Sequence, residues 1–173
     1  MEYRTLELNL TSAKVFKDAN CLSWEEEYLF SQMGLYVFVS LPGNNEEFKT
    51  LVDRNHGTEP EWNFPMKFTF EESLLQQGRL TLQMKLCCDH HTQTDIIGEV
   101  HVPLSQLVDL NTPDNLFFNH VSYLLTEQPS GCPKGVLEFS YKFGQKFMSG
   151  VKNFPTRTPW ARYPRPRRNL LQH

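Results

Sequence analysis

The chain has no apolar run long enough to span a membrane. Its longest, from Gly34 to Leu41, is short, whereas a spanning helix needs about 20 residues. Its four cysteines, Cys21, Cys87, Cys88 and Cys132, contain no Cys-x-x-Cys pair, so the spacing of a zinc ribbon or a redox dithiol is missing. No Gly-rich phosphate loop and no nucleophile elbow occurs, which argues against the common routes to phosphoryl and acyl transfer. The N-terminus, Met1-Glu2-Tyr3-Arg4-Thr5-Leu6-Glu7, is acidic and is not followed by a hydrophobic signal core. The chain therefore reads as a cytoplasmic protein whose cysteines remain free thiols. Acidic residues are also missing from residues 145–173, which hold seven of the 17 basic residues and none of the 20 acidic ones. The remainder carries ten basic residues against 20 acidic ones. An acidic body with a basic tail points to an anionic partner for the tail, or to the body itself.

What the chain does have is alternation. Leu6, Leu8 and Leu10 alternate with Glu7, Asn9 and Thr11, which is the period of a strand with one wet face. Leu35–Leu41 is a run of strong β-formers closed by Pro42-Gly43. Glu47–Val52 predicts a polar edge strand. Trp62, Phe64, Met66, Phe68 and Phe70 alternate around Pro65, which places that strand at a bulge or an edge. Leu80–Leu86, the segment around Gly98, Phe117–Leu124 and Val136–Phe143 supply the rest, with a connector at Glu71–Gly78 and one helical turn at Leu104–Asp109. Ser23-Trp24-Glu25-Glu26 reads as a capping box and predicts a short helical insertion in the first loop. Pro155, Pro159, Pro164 and Pro166, mixed with arginines, predict an extended or flexible tail. The expected fold is all-β: an eight-stranded antiparallel β-sandwich over residues 1–145, followed by a basic Pro-rich segment over 146–173.

The polar loop between Asp89 and Asp95, set between two half-buried strands, offers oxygens to a hard cation such as calcium. Gly57-Thr58-Glu59-Pro60-Glu61-Trp62-Asn63, the alternating Phe64–Phe70 strand and Asp95-Ile96-Ile97-Gly98-Glu99 together resemble the calcium- and lipid-binding C2 domain. The opening Leu6–Lys14 and the phrase Gly98–Leu104 are similar to its small single-domain plant members of the cold-regulated type. The resemblance covers residues 1 to 145 and implies an eight-stranded sandwich with its functional loops at one end.

The resemblance also implies a calcium site built from five aspartates. Asp18 falls at the first position, Gly34 at the second, Cys87 at the third, Asp89 at the fourth and Asp95 at the fifth. Three carboxylates remain, because glycine donates no side-chain oxygen and a thiolate is a soft ligand. Calcium binding is accordingly expected to be weak, with no other cofactor. Trp24, Phe30 and Met33 in the first loop are candidate apolar wedges for a lipid interface. Arg157, Arg162, Arg165, Arg167 and Arg168 are candidate contacts to anionic headgroups, each basic residue near such a surface contributing about 1 kcal/mol. Aromatics among these arginines also suit nucleic acid, but the resemblance ranks a membrane surface higher. Zinc at Cys87-Cys88-Asp89-His90-His91 is disfavoured because neighbouring strand residues point to opposite faces. A thiol enzyme would need a cysteine of depressed pKa in a cleft. The resulting expectation is a non-enzymatic module that docks on an anionic membrane, a protein partner or both, in plant stress or defence signalling. The alternative is a calcium-independent protein-interaction scaffold that does not touch lipid.

Overall fold

The structure is a computed structural model, and it describes residues 1–16, 34–44, 46–89, 94–109 and 117–148. Among the described residues nine strands form in chain order: β1 (Glu2–Val15), β2 (Gly34–Ser40), β3 (Glu47–Lys49), β4 (Glu61–Glu71), β5 (Thr81–Asp89), β6 (Thr94–Pro103), β7 (Asn119–Thr126), β8 (Pro133–Phe143) and β9 (Phe147–Met148). Two short helices, α1 (Glu72–Gln76) and α2 (Leu104–Asp109), lie between them. All named pairings are antiparallel, in the order β3-β2-β5-β6-β7-β8-β1-β4, with β9 added to the start of β1. Only Glu99↔Thr126 pairs β6 with β7. The sheet therefore folds over there into two layers, β3-β2-β5-β6 and β7-β8-β1-β4, giving the antiparallel eight-stranded sandwich expected from the alternation.

The core is what the period-two pattern turns inward. From one layer come Leu35, Val37, Val39, Leu82, Met84, Leu86, Val100 and Val102, all buried. From the other come Leu6, Leu8, Leu10, Phe64, Met66, Phe68, Leu137, Phe139, Tyr141 and Phe143. Each such side chain contributes about 1.5–3 kcal/mol when fully buried, which is why the register cannot slip by one residue without inverting the layer.

The long outer strand β4 is protected along its free edge. The Asn44 side-chain amide donates to the Thr69 carbonyl, and the Thr69 N–H donates to Glu46 at 3.2 Å. Thr69 thus turns its backbone groups outward, and Pro65, four residues earlier, presents the same edge without an N–H to offer. Asn63 has a left-handed φ of 46°, and the β1–β4 register shifts between Leu10 and Ser12. Pro65 therefore sits where its ring predicts, on an irregular edge strand.

The Glu71–Gly78 connector holds α1, which buries Leu75 and is followed, after Gln77, by Gly78 with φ 66°. Tyr141 in β8 donates its hydroxyl to the Leu107 carbonyl at 2.6 Å, tying α2 to the core. β9 was not expected from the sequence: Phe147 stacks on Tyr3 at 6.0 Å. Cys132 is disulfide-bonded, contrary to the expectation of free thiols, while Cys87 and Cys88 are free. Cys21 and the insertion expected at Ser23–Glu26 lie outside the described residues, as does the segment after Met148.

Candidate functional site

One end of the sandwich gathers the start of β2, the Leu51–Pro60 connection, the end of β5 and the start of β6. The connection is held from three sides. Leu35 and Asp53 exchange backbone hydrogen bonds at 3.0 and 2.9 Å, Val15 N–H donates to the Thr58 carbonyl at 2.8 Å, and Ala13 N–H donates to the Pro60 carbonyl at 3.1 Å. The Trp62 indole N–H donates to the Leu35 carbonyl at 3.0 Å, bridging the two layers.

Asp53 is buried and organises this loop. Its carboxylate accepts the N–H groups of Asn55 and Glu61, each at 2.8 Å, and faces His56 Nδ1 at 2.7 Å. Burial alone would raise its pKa. The donors from Glu61, Asn55 and His56 outweigh burial and hold the carboxyl below its ordinary value. This oxygen pair is committed to the loop itself.

Asp89 and Asp95 are brought to adjacent strands: Cys88 is paired with Asp95, and Asp89 with Thr94. Both charges act on Cys88, whose thiol is pushed up to about 11 by burial first and then by Asp95 and Asp89. The Cys87 thiol is also raised, chiefly by burial. Neither is therefore a thiolate at neutral pH, so neither meets the condition set for a thiol nucleophile. Cys88 belongs to the core cluster and Cys87 does not, as neighbours on a strand require.

Asp89 already faces a cation. Arg54 Nη2 forms a hydrogen-bonded ion pair with Asp89 Oδ2. Gly34, at the position the resemblance gives to a second aspartate, is paired across the strands with Asp89. A Cβ on Gly34 would collide with Val52 Cγ1 and meet Arg54 Cγ at 2.9 Å and Nη1 at 3.2 Å. Among the described residues, no three acidic, histidine or cysteine side chains converge so as to hold a metal ion. The described part of the rim, as it stands, does not fit calcium.

Asp18 lies outside the described residues, as do Trp24, Phe30 and Met33 and the arginines Arg157, Arg162, Arg165, Arg167 and Arg168. Sequence reasoning passed over Arg54 and Asp53, treating both as plain loop. It also passed over Leu51 and Ile96, which stand 55% and 51% exposed at the same end.

The C2 domain family model matches residues 4–119. The chain belongs to the C2 domain family. It is 45% identical over 148 residues to Protein SRC2 of Glycine max, covering 84% of this chain and 48% of that protein. It is 36% identical over 157 residues to the Protein SRC2 homolog of Arabidopsis thaliana, covering 90% of this chain and 45% of that one. The chain thus spans about half the length of these curated relatives. Among solved structures, a C2 domain of plant extended synaptotagmin 1 superposes with a TM-score of 0.61 at 16% identity, over 83% of this chain and 95% of that one. A C2 domain-containing protein from a putative elicitor-responsive gene gives 0.58 at 26% identity, over 81% and 88%. In this C2 domain the end bearing Arg54, Asp89 and Asp95 is the one where the family's functional loops are expected.

Proposed function

We propose that this C2 domain is a non-catalytic docking module for an anionic membrane surface or a protein held there, with its calcium dependence weakened or lost. The observation that carries this reading is the character of the loop end. Leu51 opens the connection that carries Arg54, Ile96 is paired with Cys87 at the start of β6, both are exposed apolar side chains, and Arg54 already neutralises Asp89. An apolar tip of low negative charge can approach a lipid headgroup layer without a metal to cancel repulsion, and burying its side chains gains about 25 cal/mol per Å². The basic residues of segment 146–173 supply further attraction to anionic lipid. The relatives in Glycine max and Arabidopsis thaliana favour a plant setting. The neighbour described as coming from a putative elicitor-responsive gene favours defence signalling there. Among the described residues no helix is long and apolar enough to cross a membrane.

The test is cosedimentation with anionic vesicles, with and without calcium, for the full chain and for a chain cut after Met148. Pelleting that does not need calcium is the expected result. If the cut chain still pellets, contact lies at the loop end; if it stays in solution, contact lies in the basic segment. No pelleting of the full chain in any buffer would overturn membrane docking and leave the protein-interaction scaffold.

A further inference from the structure

We infer that Arg54 is the resident cation of the loop end: its guanidinium stands where the family's calcium would meet Asp89, and Gly34 is the clearance that lets it reach. This inference deepens the docking proposal above and rests on it for its biological meaning. Three features of the backbone place the arginine. Asp53 is fixed to Leu35 by a mutual pair of backbone hydrogen bonds and anchored through its own carboxylate to Asn55 and Glu61. Arg54, one residue on, therefore leaves the chain beside Gly34 in a defined position. Across β2 from it, Gly34 is register-paired with Asp89. The order is Arg54, Gly34, Asp89, so the arginine has to pass over residue 34 to reach its partner.

Only a residue without a side chain permits that passage. The contacts a Cβ would make at position 34 are with Val52 Cγ1, Arg54 Cγ and Arg54 Nη1. The backbone itself does not call for glycine there, because Gly34 is not among the glycines with left-handed φ, which are Gly43, Gly57, Gly78 and Gly131. Glycine at 34 is explained by space and not by conformation. The glycine at this position and the cation beside it thus depend on one another. An aspartate here would supply an oxygen and evict the arginine, whereas glycine removes the oxygen and admits the arginine.

The consequence is a site that carries its own countercharge. Calcium takes roughly 6–8 oxygen ligands, carboxylates among them. To use Asp89 it would first have to displace a hydrogen-bonded guanidinium. A guanidinium, unlike a bound ion, does not depend on the calcium concentration, so the loop end is held permanently in its low-charge form.

The experiment is calorimetric titration of the full chain with calcium alone, without lipid, for wild type, Arg54→Gln, Arg54→Lys and Gly34→Ala. Arg54→Gln should bind calcium at least about tenfold more tightly than wild type, which corresponds to about 1.4 kcal/mol. Arg54→Lys keeps the charge and should stay close to wild type, a result that a purely structural role for the side chain would not give. Gly34→Ala, if it folds, should approach Arg54→Gln, because its methyl group closes the path. Arg54→Gln is the decisive variant, since the side chain is more than half exposed and its removal leaves the core intact. Wild type and Arg54→Gln within threefold of each other, including no binding by either, would overturn the inference. No vesicles are present, so failure of membrane docking registers only in the cosedimentation assay and failure of this inference only in the titration.

Discussion

Two ion-pair clusters sit at opposite ends of the sandwich, and they are built on different principles. At the loop end, Arg54 and Asp89 have side chains 54% and 34% exposed. At the far end, Arg4 and Glu72 are 14% and 6% exposed. Glu72 Oε1 faces Arg4 at 3.7 Å and Lys146 at 3.4 Å, while its Oε2 is buried without a hydrogen-bond partner. Arg4 is further committed, donating to the Gly144 carbonyl at 3.1 Å and lying 5.1 Å over the Phe143 ring. The buried cluster ties β1, α1 and the chain after β8 together. The exposed pair joins only two side chains, both of them reaching solvent. An exposed pair can set the charge of a surface, and a buried one suits a joint.

The largest effect should come from breaking the joint. Glu72→Ala leaves Arg4 beneath the surface without its carboxylate, and removing one member of a buried pair costs about 3 kcal/mol or more. Urea denaturation should show this as a lower midpoint with an unchanged slope. A loss below about 1 kcal/mol would show that Arg4 is satisfied by Gly144 and Phe143 alone, and the contrast between the two ends would collapse.

The next effect tests the frame that presents Arg54. Asp53→Asn keeps the shape of the side chain but removes the charge that gathers the Asn55, Glu61 and His56 donors, and should cost about 2 kcal/mol at neutral pH. The pH dependence follows from the lowered pKa of Asp53. A carboxyl more acidic folded than unfolded contributes stability that is fully present above its unfolded value. That stability is lost as pH falls through the folded one. The difference between wild type and Asp53→Asn should therefore hold at neutral pH and close below the ordinary carboxylate range. A difference that stays constant into strong acid would mean that the charge of Asp53 is not what holds the loop.

The sandwich was legible because its strands bury one face each, so Leu6, Leu8 and Leu10 or Phe64 to Phe70 announce both element and orientation. The pieces that escaped are short or nonlocal. α1 is little more than one turn and β9 is two residues, too short for any period to declare itself. The loop end was legible as far as carboxylates go, because Asp89 and Asp95 lie close together in the chain ahead of Gly98. Arg54 was not legible, since it meets Asp89 from 35 residues away and acts by passing over Gly34, a third strand position. Gly34 itself was read as a missing ligand. Its second meaning, open space, exists only once β2 and β5 are in register. The disulfide at Cys132 was missed for a related reason: compartment arguments treat thiols in general, whereas pairing depends on which two come within reach.

The smallest expected effect on stability is also the one that most sharpens the comparison. Arg54→Gln removes an ion pair that is largely in solvent, and such pairs contribute about 0–1 kcal/mol. Without calcium the variant should therefore melt within a few degrees of wild type, slightly lower because Asp89 loses the guanidinium that faces it. Adding calcium should raise the midpoint of the variant by mass action on the folded state and leave wild type where it was. The two chains thus differ little in stability and sharply in what stabilises them, which is the signature of a side chain kept for what it excludes. A calcium-free loss above about 2 kcal/mol would place Arg54 with Arg4 as a structural joint, and the loop end would then have to be read as a second sealed end of the sandwich.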